Sequence, residues 1–145
     1  MAEKVEVFSD GACKGNPGPG AWGVVLERGG ETEQLSGSAS RTTNNRMELE
    51  GVVEGIRLVP AGSTLQVVTT SDYVFQGATK WIHGWRRRNW TKKDGKAISN
   101  QDLWQRLDRL MQDHTIRWLS AKGRQSDQPH GVAAAARLAA AAVTS

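Results

Sequence analysis

The sequence predicts an α/β fold in which a five-stranded mixed sheet is flanked by helices. Segments that alternate apolar and polar residues predict strands, and segments with an apolar stripe predict helices. Along the chain, three strands come first, and helices and strands then alternate. This order favours an antiparallel meander of strands 1 to 3, with strands 4 and 5 parallel to strand 1. The 145 residues are expected to form one domain, residues 1–145.

Five strands are predicted from the alternation. They cover residues 5–8, 22–27, 32–38, 65–68 and 116–119. Residues 15–20, between the first two strands, are rich in glycine and proline. This segment is predicted to be a loop, because that composition is incompatible with a helix. Gly29 and Gly30 predict a hairpin turn between the second and third strands.

Helices are predicted by caps and apolar stripes. The first helix is expected to begin after Thr42 or Thr43 and to end at 60–62, which read Pro-Ala-Gly. Its stripe consists of Met47, Val52, Val53, Ile56 and Val59. Ser71 is expected to cap a second helix and Asn100 a third, and the alanine-rich segment after Pro129 predicts a last one.

Positive charge is concentrated between residues 80 and 96. The chain has a net charge of +4, but this segment contains seven basic residues and one acidic residue, so that the remainder carries a net −2. Tryptophans at 81, 85 and 90 lie among these basic residues. Such a segment favours a polyanionic partner, because lysine and arginine release counterions from phosphates. On composition alone, a solvated loop is the alternative.

Composition also argues against several classes of protein. No apolar run approaches the ~20 residues of a membrane-spanning helix, and the first residues do not resemble a signal peptide. Cys13 is the single cysteine, which excludes an internal disulfide framework and an all-cysteine zinc site. We therefore expect a cytosolic protein with no membrane association, and a monomer.

Acidic residues are predicted to meet at one edge of the sheet. Asp10 ends the first strand, residues 69–72 end the fourth, and Glu48 lies early in the helix between them. Ligands of such sheets bind outside the carboxyl ends of the parallel strands. Converging carboxylates there suit Mg²⁺, which takes oxygen ligands and binds phosphates. Each acid taken alone also has an ordinary structural explanation.

Several long motifs resemble type 1 ribonuclease H. They are DGACKGNPGPG at 10–20, TTNNRMEL at 42–49, the segment 73–85 and NQDLWQRLD at 100–108. The resemblance extends to about residue 123. It implies a ribonuclease H-like fold and an Mg²⁺-dependent endonuclease that cleaves the RNA strand of an RNA–DNA hybrid.

The resemblance assigns roles to individual residues. Asp10 and Glu48 match catalytic, metal-binding acids. The residues that match minor-groove contacts are Cys13, Asn16, Asn44 and Asn45. Arg41 and Thr43 match residues that bind a DNA phosphate. Residues 80–99 match a basic protrusion, in which Trp81, Trp85, Trp90 and Trp104 form a local core. The remaining nucleic-acid contacts are expected from two of these tryptophans and from the basic residues, namely Trp81, Trp85, Arg86, Arg87, Arg88, Lys92, Lys93 and Lys96, and from Asn100.

The chain departs from the family at three catalytic positions. Thr70 stands where the family has a third acid, and Arg124 stands where it has a loop histidine. The fourth acid falls on Ala134 when the alignment continues without gaps, and on Ala136 when the following Arg-Leu-Ala is matched. Two of four metal-binding carboxylates are therefore missing, and Mg²⁺ or Mn²⁺ is expected to bind weakly.

Three functions remain open. The first is a protein that binds RNA–DNA hybrids but cleaves the RNA strand poorly or not at all. The second is an active nuclease with Asp10, Glu48 and Asp72 as its acids. Asp127 is a less favoured substitute in that nuclease. The third is a non-catalytic scaffold or interaction module.

Overall fold

A five-stranded sheet of order β3-β2-β1-β4-β5 organises the structure. A computed structural model describes residues 4–121 and 129–143, so that Arg124 and Asp127 lie outside the described residues. Strands β1 to β3 pair antiparallel, whereas β4 pairs parallel to β1 and β5 parallel to β4. The predicted fold class is confirmed. No helix in the described part of the chain is long and apolar enough to cross a membrane.

The strands are longer than the alternation indicates. They are β1 (Lys4–Cys13), β2 (Gly18–Arg28), β3 (Glu31–Thr42), β4 (Thr64–Thr69) and β5 (Thr115–Ser120). The prediction that β1 ends at Asp10 is wrong. Pairing with β4 stops at Ser9, but pairing with β2 continues to Cys13. A strand with one remaining partner keeps its ladder of hydrogen bonds, and apolar alternation does not reveal that.

The helices are α1 (Asn44–Arg57), α2 (Asp72–Gln76), α3 (Ile82–Arg87), α4 (Gln101–Asp113) and α5 (Pro129–Ala142), and a π-helical segment (Gly77–Trp81) joins α2 to α3. Thr43 and Ser71 cap α1 and α2, since their side chains accept hydrogen bonds from the backbone N–H groups of Arg46 and Val74. Helix α1 ends at Arg57, before the predicted Pro60.

Asn100 precedes α4 but does not cap it with its side chain, which corrects the prediction. Its backbone is left-handed, with φ of 60°. The side-chain oxygen accepts from Arg46, and the amide nitrogen donates to the hydroxyl of Tyr73. Tertiary partners thus occupy both ends of this amide.

Two apolar layers cover the two faces of the sheet. One contains Val5 and Val7 of β1 and is covered by α1 and α4; the other contains Phe8 and is covered by α5. Because side chains alternate along a strand, Asp10 lies on the same face as Phe8, towards α5. Helix α5 lies very close to that face, since a Cβ atom added to Gly23 would clash with its backbone at Ala135 and Ala139.

Candidate active site

The end of the β1–β4 pairing brings Asp10 and Thr70 together. The last paired residues are Ser9 and Thr69, so Asp10 and Thr70 each follow directly after the last pair. The Thr70 hydroxyl donates to Asp10 Oδ1 at 2.9 Å, and the backbone N–H of Gly11 donates to the same oxygen at 2.9 Å. Thr70 therefore satisfies Asp10 as a neutral hydrogen-bond donor, at the position where the family resemblance implies a further acid.

Glu48 approaches Asp10 from the second turn of α1. The helix can come this close because residue 11 is glycine: an added Cβ there would lie 2.7 Å from the backbone nitrogen of Glu48. Glu48 is 5% exposed, and its Oε2 has no hydrogen-bond partner in the described structure. Burial, and secondarily the charge of Asp10 and a hydrogen bond with it, raises the pKa of Glu48 to about 9.

The acids that the structure describes around Asp10 do not fit a pair of divalent cations. Asp10 and Glu48 supply two carboxylates and Thr70 a hydroxyl, and no three His, Cys, Asp or Glu side chains of residues 4–121 and 129–143 form a group that could hold a metal. Asp72, the predicted substitute, is exposed at the start of α2, where its Oδ1 accepts from Gln76 at 3.4 Å. The structure does not bring Asp72 into one cluster with Asp10 and Glu48.

Replacing Glu48 by glutamine is expected to stabilise the fold at neutral pH. The folded-state pKa of about 9 exceeds the ordinary value of 4.5. The contribution of the buried, protonated Glu48 to the free energy of unfolding is therefore fully present below pH 4.5 and is lost as the pH rises towards 9. At pH 7, keeping this proton costs on the order of 3 kcal/mol, which a neutral amide avoids.

Urea denaturation in EDTA at pH 5 and pH 7 measures this effect. The stability difference between Glu48→Gln and the parent should grow with pH, whereas Glu33→Gln, on the exposed face of β3, should show no such trend. An equal difference at both pH values would contradict the raised pKa.

The residues predicted to line a minor groove lie around the start of α1. Asn44 and Asn45 are exposed in its first turn. Asn16 is exposed in the loop after β1, and its side-chain oxygen accepts from the backbone N–H of Asn44 at 3.1 Å. Cys13 is half-buried, and its Sγ donates to the carbonyl of Gly15 at 2.9 Å. The structure thus places the predicted amide side chains on one surface.

Arg41 and Thr43 lie next to this surface, at the junction of β3 and α1. Arg41 is exposed near the end of β3. The Thr43 hydroxyl is half-buried and is used for capping α1.

The tryptophans of the basic protrusion pack mainly on one another. Trp85 is central, with ring centroids 6.1 Å from Trp81, 6.5 Å from Trp90 and 5.2 Å from Trp104. Trp81 remains 42% exposed at the edge of this cluster. The expected local core therefore forms, with one indole at the surface.

The basic side chains of the protrusion differ in their surroundings. Arg87, Lys92, Lys93 and Lys96 are exposed, and within the described residues they form no ion pair. Arg86 pairs with Asp108, and the Arg88 guanidinium lies over Gly84 and donates to the Thr91 carbonyl. Arg86 and Arg88 are thus already bonded within the protein.

Sequence reasoning missed the link between the starts of α1 and α4. Arg46 forms a two-pronged ion pair with Asp102, with nitrogen–oxygen distances of 2.7 and 3.1 Å. The Arg46 guanidinium holds the pKa of Asp102 below its ordinary range. The Tyr73 hydroxyl also accepts from Trp104 Nε1 at 2.9 Å. No local pattern indicates these partners, because they are distant in sequence.

Comparison with known proteins gives a family match along nearly the whole chain and relatives that cover most of it. A sequence profile of the RNase H family matches residues 2–144. Ribonuclease H of Thiobacillus denitrificans is 49% identical over 122 residues, which cover 84% of this chain and 82% of that protein. Ribonuclease H of Cupriavidus metallidurans is 48% identical over 121 residues, covering 83% of each protein.

Solved structures include similar folds. The crystal structure of LC9-RNase H1, a type 1 RNase H with the type 2 active-site motif, has a TM-score of 0.73 at 30% identity and covers 95% of this chain and 74% of that one. LC11-RNase H1 in complex with an RNA/DNA hybrid has a TM-score of 0.64 at 20% identity, with 96% of both chains covered. The second similarity concerns the fold alone.

Proposed function

This chain belongs to the RNase H family, and on that basis we propose that it binds RNA–DNA hybrids while its cleavage of the RNA strand is lost or strongly impaired. The observation on which the proposal rests is the contact between Thr70 and Asp10. A neutral hydroxyl stands where the family resemblance implies a third carboxylate, and it donates to the acid beside it.

Binding is supported by the surfaces that flank this site. Exposed amides at the start of α1 can donate to and accept from the 2′-hydroxyls and base edges of a minor groove, and only the RNA strand has 2′-hydroxyls. The exposed cations of the basic protrusion suit the phosphates of the other strand. A protein of the same fold, LC11-RNase H1, has been solved with an RNA/DNA hybrid.

Impaired cleavage is supported by the shortage of acids. Relatives of this family use a divalent cation such as Mg²⁺. When bound in pairs, such cations can activate water and stabilise the departing oxygen of a phosphodiester. Asp10 and Glu48 alone give a formal site charge of at most −2. We expect them to bind Mg²⁺ or Mn²⁺ weakly.

The position of the fourth acid is better matched by Ala136 than by Ala134. Ala134 lines a groove with Gln34 of β3. Across the sheet, Gln34 is level with Val25 of β2 and with Phe8 of β1. Phe8 lies two residues before Asp10, so the groove lies away from the end of β1 that holds the acids. Residues two apart on a helix point about 200° apart. Ala136 therefore belongs to the opposite flank of α5, towards Asp10.

A labelled RNA–DNA hybrid tests the proposal directly. In EDTA, we expect the logarithm of the affinity for the hybrid to fall linearly with the logarithm of the salt concentration. We also expect lower affinity for the matched DNA duplex, which lacks 2′-hydroxyls. In Mg²⁺ or Mn²⁺, we expect no cleavage above that of the Glu48→Gln variant.

Two results would favour the other functions. Cleavage that Glu48→Gln abolishes would favour the nuclease with Asp72, although Asp72 lies outside any cluster in the described residues. A lack of salt-dependent binding would favour the scaffold. A monomeric state and a cytosolic location complete the proposal, and sedimentation of the free protein tests the first of these.

A further inference from the structure

Two adjacent arginines of the basic protrusion have different surroundings. Arg86 and Arg87 end α3. The Arg87 side chain is exposed and forms no ion pair within the described residues. Arg86 Nε donates to Asp108 Oδ1 at 2.5 Å, although its side chain is still 37% exposed. Equal charge at neighbouring positions therefore does not mean equal availability to a ligand.

Asp108 is held in a nearly buried position on α4. Its side chain is 10% exposed, and its second oxygen accepts from Gln112 Nε2 at 3.2 Å. The preceding residue, Leu107, is fully buried in the core under the sheet. Asp108 is thus fixed to the body of the protein, and Arg86 is its cationic partner. Removal of either partner leaves a charge of the other without compensation.

The ion pair joins α3 of the protrusion to α4 of the body. The neighbouring Trp85 packs against Trp104 of α4, with ring centroids 5.2 Å apart, and its carbonyl accepts from the backbone N–H of Trp90. The chain leaves α3 after Arg87 and continues directly to the exposed lysines at 92, 93 and 96. The orientation of α3 on α4 therefore sets where these cations lie.

We propose that Arg86 is a positioning residue: through Asp108 it fixes α3 on α4 and so orients Arg87 and the lysines for the phosphates of the hybrid. This inference rests on the proposed hybrid binding. It assigns Arg86 a different role from the direct phosphate contact that the sequence predicts. Binding to a fixed protrusion avoids the loss of freedom that ordering a loose one would require.

The variant Asp108→Asn distinguishes the two roles by the sign of its effect. If Arg86 contacts a phosphate, loss of the nearby negative charge should strengthen hybrid binding or leave it unchanged. If Arg86 is a positioning residue, Asp108→Asn should weaken binding about tenfold. Affinity is measured with a labelled hybrid in EDTA over a range of salt, at a temperature where denaturation curves show each variant fully folded.

Arg87→Gln is the matched control for Arg86→Gln, since both remove one charge from adjacent residues. Arg87→Gln should lower affinity and reduce the slope of log affinity against log salt by about 0.9, as for one lost phosphate contact. Arg86→Gln should lower affinity with the slope unchanged. Arg86→Lys should bind the hybrid with most of the affinity of the parent, because it keeps the charge. The double variant Arg86→Gln/Asp108→Asn should bind at least as tightly as the single variant of lower affinity, because both changes break the same ion pair.

The inference is overturned if Arg86→Gln reduces the salt slope as Arg87→Gln does, or if folded Asp108→Asn binds as tightly as the parent. Should Asp108→Asn fail to fold, the slopes of Arg86→Gln and Arg87→Gln still decide the matter. Failure of the parent protein to bind any hybrid would overturn the proposed function instead, so the two failures are distinguishable.

Discussion

The variant Thr70→Asp/Ala136→Asp is expected to cleave the RNA strand of a hybrid about a thousandfold faster than the parent protein in Mg²⁺. Each restored carboxylate should return about 2 kcal/mol of transition-state stabilisation, and each ~1.4 kcal/mol is a factor of ten in rate. Thr70 already contacts Asp10, so an acid there starts within reach of the retained pair. Initial rates on a labelled hybrid measure the gain, and calorimetry should show tighter Mg²⁺ binding.

Three controls separate placement from charge. Thr70→Asp/Ala134→Asp carries the same net charge, but its second acid lies on the flank of α5 that faces the groove at Gln34. Thr70→Asn/Ala136→Asn has similar side-chain volumes without carboxylates. Glu48→Gln in the active variant should remove the gain. The assignment of the missing acids to positions 70 and 136 would be wrong if a folded Thr70→Asp/Ala136→Asp variant did not cleave the hybrid. It would also be wrong if both acidic variants gained the same cleavage rate.

Gly23→Ala is expected to lower the free energy of unfolding by about 3 kcal/mol or more, as overpacking of rigid backbone does. Gly23 lies on β2 directly opposite Asp10. The added Cβ would lie 2.7 Å from the backbone nitrogen of Ala139 and closer still to the carbonyl of Ala135. Neither backbone atom can rotate away, so α5 must shift as a whole, and overpacking of this kind is destabilising. Urea denaturation followed by circular dichroism measures the loss.

Gly62→Ala is the control for the added methyl group. Its Cβ would meet no heavy atom within 4 Å, but its φ of +89° is strained for alanine. It should therefore cost only about 1 kcal/mol. Equal losses at the two glycines would contradict the close packing of α5 on β2.

Much of the fold was predictable because strands and helices leave local patterns. The antiparallel meander of β1 to β3 and the parallel direction of β4 and β5 followed from the order of the elements, but that β4 is the neighbour of β1 came from the structure. Given that pairing, the meeting of residue 10 with residue 70 follows from the rule that parallel neighbours end at one edge. Thr43 and Ser71 were predictable as caps because capping is a local interaction. The predicted end of β1 at Asp10 was wrong, because pairing with β2 extends it.

The functional roles of the basic residues were less predictable. Arg86 and Arg87 are adjacent residues of the same type, so the sequence predicts the same role for both. They differ because Arg86 bonds to Asp108, which lies 22 residues later in the chain. Asn100 was expected to cap α4, but Arg46 and Tyr73 use its side chain. Such partners come from other elements, so that no pattern around the residue itself reveals them.

The sequence alone determined which acids the chain has, since composition does not depend on folding: Asp10 and Glu48 are retained, and Thr70 is not an acid. The tertiary structure decided how the other groups are arranged. It directs Ala134 towards Gln34, couples Arg86 to Asp108, and buries Glu48 beside Asp10 so that its pKa rises. The physical reason is that hydrogen bonds, ion pairs and desolvation depend on distances between residues far apart in the chain, and packing alone sets those distances.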